Sequence, residues 1–314
     1  MRNRLIVIFG GTGFLGRHLV PRLAHRGDRM VVISRDPARG RHLQPMCAVG
    51  QIVVQRADLA SEDALGHVLR GAHAAINLIG ILHERRDGQF DEVHGELPGR
   101  IAKVAAEVGV ERMVQVSALG ADPNSRAAYA RSKAKGEHLV LERFPRATIL
   151  RPSIVIGPED SFFNRFAEMA RFLPALPLIG GGGTRYQPIY AGDAAEAMVA
   201  ALTREDVFGR IYQLGGPKVY TFAELMRYML EVTGRRRLLV PISYDLARLQ
   251  ARFMELLPEP PLTRDQVELL KVDNIVEPGA PGLAELGIAP TPIELIVPDY
   301  LARYRAQAAR VARL

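Results

Sequence analysis

The stretch Leu5-Ile6-Val7-Ile8-Phe9-Gly10-Gly11-Thr12-Gly13-Phe14-Leu15-Gly16 decides the fold. Its five consecutive apolar residues predict a strand buried on both faces, as in a parallel sheet. Glycines follow at once in the spacing G-x-x-G-x-x-G, and a helical pattern opens behind them. Strand, glycine turn and helix in that order make a phosphate seat. The turn is tight, the backbone can approach an anion, and the helix N-terminus offers free N–H groups at the positive end of its dipole. Gly10, Thr12, Gly13, Phe14, Leu15 and Gly16, with Arg17 just behind, are therefore candidate ligands of a dinucleotide pyrophosphate.

Outward from that stretch the same alternation continues. Met30–Ile33, Ile52–Val54, Ala74–Ile79, Met113–Val116 and Thr148–Leu150 are short apolar strand candidates separated by amphipathic segments. Ser61, for example, reads as the N-cap of one such helix. This rhythm predicts an α/β protein with a doubly wound parallel sheet of the Rossmann type. After Arg151-Pro152 the rhythm changes and prolines become dense. Residues 1–157 are assigned to the dinucleotide-binding domain, with 187–214 returning to it. Residues 158–186 and 215–314 are assigned to a smaller C-terminal α/β lobe for a substrate or partner.

The end of the second strand selects the dinucleotide. NAD-specific sites place an acid there to hold the ribose 2′-hydroxyl. Here the chain reads Ser34-Arg35-Asp36. Arg35 can fork onto a 2′-phosphate and Ser34 can add a hydrogen bond, which favours NADP(H). Asp36, one residue on, leaves NAD(H) open. Asp58 and Leu59 after the third strand are placed against the adenine. Asn77, Ile79 and Gly80 after the fourth are placed beside the cofactor.

Tyr129-Ala130-Arg131-Ser132-Lys133 puts a phenol and an ammonium four residues apart, on one helix face. A tyrosine near pKa 10 is a poor proton carrier at neutral pH. Lowering it by about three units requires roughly 4 kcal/mol. A lysine about 4 Å away at an effective dielectric near 20 supplies roughly that much. Ser117, at the end of the fifth strand, is placed to orient a substrate carbonyl. The assignment is therefore proton transfer by Tyr129, tuning and ribose binding by Lys133, and substrate orientation by Ser117.

Composition bounds the remaining classes. With 314 residues the chain can bury a large core, and no apolar run approaches the length of a membrane span. Cys47 is the only cysteine, so no internal disulfide forms, and a cytoplasmic or matrix-like compartment is expected. The net charge of +7 is spread along the chain rather than clustered, which argues against a nucleic-acid surface. The one dense run, Arg235-Arg236-Arg237, is read as cations at a helix C-terminus. No histidine, cysteine and carboxylate group has metal-ligand spacing, so no metal is expected. His83 is the one histidine placed near the cleft, and it reads more readily as a loop histidine without a role. Leu246, Leu249, Phe253, Leu256 and Leu257 form a helical stripe read as core packing of the small lobe rather than as a partner or membrane surface.

Taken together, the glycine loop, Ser117, Tyr129/Lys133, Leu150–Pro158 with Pro152, and Gln187–Ala195 resemble the extended and atypical short-chain dehydrogenase/reductases of the epimerase/dehydratase type. His42–Met46, Ile76–Gly80, Leu262–Glu268 and Pro281–Ile288 resemble, more specifically, the NADPH-binding accessory subunits of respiratory complex I and their bacterial relatives. The resemblance implies NADP(H) held by Arg35, a structural or sensory role with slow or no turnover, and a respiratory or peripheral membrane-associated assembly as partner. The lack of a presequence suggests a bacterial relative or a processed chain. The alternative is an active NAD(P)H-dependent oxidoreductase, epimerase or dehydratase using Tyr129/Lys133 on a small carbonyl or hydroxyl compound.

Overall fold

The computed structural model describes residues 4–258 and 260–306. In chain order the first half runs β1 (Leu5–Phe9), α1 (Phe14–His25), β2 (Arg29–Ile33), β3 (Ile52–Gln55), α2 (Glu62–Leu69), β4 (Ala74–Asn77), α3 (Leu97–Glu107), β5 (Arg112–Val116), α4 (Ala128–Arg143) and β6 (Thr148–Pro152). The strands fall within two residues of the segments that periodicity marks. Together with strand Ile211–Leu214 they form a seven-stranded sheet in the order Ile211–Leu214, β6, β5, β4, β1, β2, β3. Every neighbouring pair is parallel. The fold is the doubly wound α/β sheet that the sequence predicts.

The chain divides into two compact units. The first comprises Met1–Pro152, Ala191–Leu214 and Gly279–Ala289; the second comprises Ser153–Tyr190, Gly215–Pro278 and Pro290–Leu314. On one face of the first unit's sheet, Val7, Phe9, Ala75, Met113 and Ile149 pack with Leu65 and Leu69 of α2, Ile101 and Ala105 of α3, and Val140 of α4. On the other face α1 packs against α6 (Ala191–Thr203). Buried alanines at 194, 195, 197 and 201 let α6 approach closely, and Arg22 meets Glu196 at 2.8 Å across the pair. The first unit also gains Gly279–Ala289, a stretch the sequence assigns to the lobe. Gln213 N donates to Pro281 O at 2.9 Å there. That segment has no periodic pattern, so nothing in the residues announced its return.

In the second unit α5 (Phe163–Phe172), α7 (Phe222–Thr233) and the later helix Ile293–Leu301 enclose Phe163, Leu176, Phe222, Met226, Met229 and Val297. Two parallel strands, Ala175–Ile179 and Leu238–Ile242, lie in the same unit. A Thr221/Glu224 capping box opens α7, and Gly234 closes it in the left-handed conformation at φ 62°. The arginine run follows that end, in keeping with its helix-terminus reading. Among the described residues no helix is long and apolar enough to cross a membrane.

One expectation is overturned. In α8 (Tyr244–Met254) only Ala247 and Ala251 are buried, packed with Val267 of α9 (Arg264–Leu269). Leu246, Leu249, Phe253, Leu256 and Leu257 are exposed instead of packed in the core. The cause is steric: two alanines one turn apart give the closest seat, so the helix buries its small-residue side.

The seat of α1 is equally tight. A Cβ on Gly16 would lie 1.9 Å from the carbonyl oxygen of Gly11. Gly16→Ala is therefore expected to lower stability by at least about 1–3 kcal/mol through overpacking. Urea titration checks this, and an unchanged midpoint would refute the contact.

Candidate functional site

The carboxyl ends of β1 to β6 all lie on one edge of the first unit's sheet, because every strand is parallel. Succession from β1 goes outward through β2 to β3, while β4 lies on the other side of β1. The loops after β1 and β4 therefore part at this switch point, where doubly wound sheets form their ligand crevice. Nearly all of the site residues expected from sequence lie at or just beyond this edge.

After β1, Gly10 adopts φ 77° and its N–H bonds to Ile33 O, while Gly13 N bonds back to Gly10 O at 3.1 Å. A Cβ at Gly10 would sit 3.0 Å from Ile79 and 3.2 Å from its backbone nitrogen. Gly13 is the N-cap of α1 and brings no side chain to the helix end. The opening N–H groups at Phe14, Leu15 and Gly16 thus lack a side-chain cap, and no acidic residue stands in the first turn. Thr12 Oγ1 lies 3.1 Å from Ser34 Oγ, tying the glycine turn to the end of β2.

Beyond Ser34, Arg35 is exposed and forms no ion pair with the described residues. Asp36 is exposed, and its carboxylate accepts from Ala38 N at 3.1 Å, capping the 3₁₀ helix Pro37–Met46. Arg17 is half-buried on α1, its N–H bonded to Gly13 O. Asp58 is exposed and turns the chain by accepting from Ala60 N, and Leu59 O accepts from Arg100. These two contact none of the other site residues through any hydrogen bond described.

Asn77 is buried at the end of β4. Its Nδ2 donates to Gln115 Oε1 at 2.9 Å and its Oδ1 accepts from Ile79 N at 3.1 Å. Its amide therefore shapes the Leu78–Gly80 turn from behind. Across the sheet, Ser117 extends the ladder past β5 with its N–H on Leu150 O. Ser117 is buried, and its Oγ has no hydrogen-bond partner among the described residues. Pro152 ends β6, and its carbonyl accepts from Leu119 N at 2.9 Å.

The structure brings Tyr129 and Lys133 together as their spacing requires. Lys133 Nζ lies 5.7 Å from the centroid of the Tyr129 ring, within cation–π range. Burial drives the lysine's pKa down to about 8, opposed by the Glu137 charge one turn along. Glu137 is itself buried and is gripped by Arg151 through Nε at 2.9 Å and Nη2 at 2.5 Å. At neutral pH Lys133 is therefore a desolvated cation. A Cβ on Gly80 would fall 3.6 Å from its Nζ and 3.7 Å from His94 Nε2, so glycine leaves that approach open.

His94 is the residue that sequence reasoning missed. His83, expected near the cleft, sits half-buried in the Ile81–Gln89 loop, whereas His94 is buried against Tyr129 with ring centroids 5.2 Å apart. It rides on a π-helical turn, Asp91–Glu96, that runs into α3. Its Nε2 accepts from Ile81 N at 3.0 Å, so Nδ1 carries the proton and donates to Ser132 Oγ at 3.1 Å. Ser132 in turn donates to Tyr129 O at 2.8 Å. Phe90 stacks on the imidazole at 5.3 Å. A Cβ on Gly136 would lie 1.9 Å from His94 O, so α4 presses directly on this turn. Burial, then the Lys133 charge, depresses the His94 pKa to about 3. Only the Phe90-x-x-x-His94 spacing hinted at a helix here, and it carried no sign of the imidazole's partners.

The residues fit a dinucleotide on three counts: an uncapped helix N-terminus free of acids, glycines where a Cβ would fill the approach, and a desolvated cation at Lys133. Among the described residues no group of acids, histidines and cysteine could hold a metal.

Comparison with known proteins agrees with this geometry. The model described as the NAD dependent epimerase/dehydratase family matches residues 6–215. The chain is 36% identical over 314 residues to NADH dehydrogenase (ubiquinone) 1 alpha subcomplex subunit 9, mitochondrial, of Arabidopsis thaliana, covering 95% of this chain and 77% of that protein. It is 34% identical over 239 residues to the ceramide reductase of Caulobacter vibrioides, covering 75% of this chain and 73% of that protein. The solved structure of MoeE5 in complex with UDP-glucuronic acid and NAD superposes with a TM-score of 0.69 at 19% identity, covering 98% of this chain and 99% of that chain.

Neutral His94 makes stability depend on pH. An unfolded histidine protonates near 6.5, whereas the folded one stays neutral down to about 3. Below 6.5 the unfolded state binds the extra proton, so folding weakens as pH falls through that window. His94→Gln is expected to flatten the acid limb by up to about 1.4 kcal/mol per pH unit relative to the parent. Urea midpoints between pH 6.5 and 4 measure the difference, and parallel curves would refute the neutral buried imidazole.

Proposed function

This chain belongs to the NAD dependent epimerase/dehydratase family, and from that premise we propose that it binds NADP(H) at the β1–β4 switch point as an accessory, cofactor-sensing subunit with slow or no turnover. The partner in this reading is a respiratory NADH dehydrogenase at the cytoplasmic face of a bacterial inner membrane. The observation that carries it is the presence of an uncapped, acid-free α1 N-terminus together with an exposed Arg35 that forms no ion pair with the described residues. The similarity to the mitochondrial subcomplex subunit over 95% of the chain supports the partner.

In this assignment the α1 N–H groups and Gly10–Gly16 hold the pyrophosphate, and Arg35, helped by Ser34, holds the 2′-phosphate. Asp36 caps the 3₁₀ helix through Oδ1, which engages one oxygen of the carboxylate that the NAD(H) alternative would use. Asp58 and Leu59 flank the adenine, and Ile79 and Gly80 line the approach that Asn77 shapes. Lys133 meets the nicotinamide ribose. When bound, the dinucleotide supplies or accepts hydride at its nicotinamide ring.

A second reading is favoured by Ser117, whose buried hydroxyl lacks a partner among the described residues. A carbonyl oxygen would satisfy it. Tyr129 would then give or take a proton at its phenol oxygen, and the Lys133 charge would favour the phenolate. The similarity to a ceramide reductase supports a carbonyl compound as substrate.

Arg35→Glu is expected to weaken NADPH roughly 10- to 100-fold while changing NADH little, from the loss of a charge-assisted bond. Isothermal calorimetry with both cofactors decides, and equal losses would sink the NADP(H) assignment. Affinity capture from the native host distinguishes the two readings, with respiratory subunits recovered under the first and a lone chain under the second. If NADPH-linked reduction is found on screening long-chain ketones, Tyr129→Phe is expected to lower it at least about 100-fold with cofactor affinity retained. Undiminished reduction would remove Tyr129 from the chemistry.

A further inference from the structure

The second unit presents an apolar ridge that neither reading above uses. Along α8, Leu246, Leu249 and Phe253 recur at helical spacing on the side opposite the buried Ala247 and Ala251, and Leu256 and Leu257 continue beyond its end. Phe253 is 66% exposed and Leu256 82%. The strand Leu238–Ile242, which leads into α8 through the N-cap Ser243, also exposes Leu238 and Val240. Large apolar side chains gathered in one stretch of surface mark an interaction site.

The charges around the ridge say what kind. Arg248 and Arg252 lie one turn apart on α8, both exposed, and neither forms an ion pair with the described residues. Arg236, just before the strand, is likewise exposed and unpaired. Of the acids on the helix and its end, Glu255 is taken by Arg264, whose Nε lies 2.7 Å from it, which leaves Asp245. An apolar helix face flanked by free arginines matches the pattern of a helix lying in a bilayer interface. Leucine and phenylalanine side chains enter the acyl boundary, and the long arginine stems let the guanidinium groups reach lipid phosphates. The described helices include no membrane span, so attachment of this kind would be peripheral.

We propose that α8 and its flanking residues Leu256 and Leu257 dock this protein on an anionic lipid surface. This rests on the exposed ridge and its arginines alone, and it holds whether or not the dinucleotide assignment does.

Vesicle flotation of the full chain tests it, with phosphatidylcholine vesicles and with equal parts phosphatidylcholine and phosphatidylglycerol. The protein is expected to float with the mixed vesicles and far less with the neutral ones. Arg248→Glu/Arg252→Glu should lower partitioning onto mixed vesicles at least about 25-fold, roughly fivefold for each arginine removed from an anionic surface. Leu249→Glu/Phe253→Glu should abolish flotation with both. Circular dichroism spectra and urea midpoints of the two variants should equal the parent's, which shows that they fold and keeps this test separate from the cofactor assignment. The proposal is overturned if the parent does not float, or if neither pair of substitutions changes flotation. It is also overturned if sedimentation shows the Phe253 face closing a dimer, or if binding to native membranes vanishes once their proteins are stripped by protease. Those last two outcomes would assign the ridge to a second copy or to a protein partner.

Discussion

Everything at the site depends on one close approach, the passage of Gly11's carbonyl across the first turn of α1 at Gly16. β1 is buried on both faces, so the chain can leave it only by a turn without side chains. That turn aims the helix N-terminus across the sheet edge and leaves its opening N–H groups to a ligand rather than to a cap. The same crowding recurs where Gly10 meets Ile79, so the two loops at the switch point are held in register by missing Cβ atoms. Binding geometry here follows from backbone packing, and the side chains refine it.

The second constraint is a buried cation. Lys133 keeps its charge at neutral pH inside a desolvated pocket because Glu137, held by Arg151, offsets part of the cost. That charge then acts on its neighbours. It helps hold His94 neutral, and a neutral His94 can do what an imidazolium cannot, accept the Ile81 N–H while donating to Ser132. Ser132 bonds to the backbone of Tyr129, so the imidazole fixes the turn of α4 that carries the phenol. Four groups from three elements thus form one chain of hydrogen bonds and stacked rings.

How much of this could be read from the residues depended on the range of the interaction. β1–Gly16 is a local pattern, and the strands, the parallel sheet and the Tyr129–Lys133 pairing were legible because each is set by neighbours in sequence. His94 was not, since its partners Ile81 and Ser132 lie 13 and 38 positions away and no short motif joins them. Gly279–Ala289 escaped for a related reason: an irregular segment returns to the first unit through the Gln213–Pro281 backbone bond and buries Leu283 and Leu286 without a periodic pattern. The α8 stripe was misread in another way. Periodicity announced an amphipathic helix correctly, but both its apolar face and its alanine face could be the buried one, and only packing against Val267 of α9 decides.

Two buried groups, Lys133 on α4 and Ser117 just past β5, carry a standing cost in the folded chain. A desolvated lysine weakens folding, since burial disfavours its charged form, and a buried hydroxyl without a partner costs about 1–3 kcal/mol. Holding a ribose would account for Lys133 in a protein that merely binds its cofactor. It does not account for Ser117, which lies at the end of β5 and not in the glycine turn or at Arg35, where the proposed phosphate contacts are. A pure sensor could carry alanine there and fold more stably. Ser117 therefore bears the weight of the choice between the two readings: its cost is recovered if a carbonyl or hydroxyl oxygen other than the cofactor's is bound beside Tyr129.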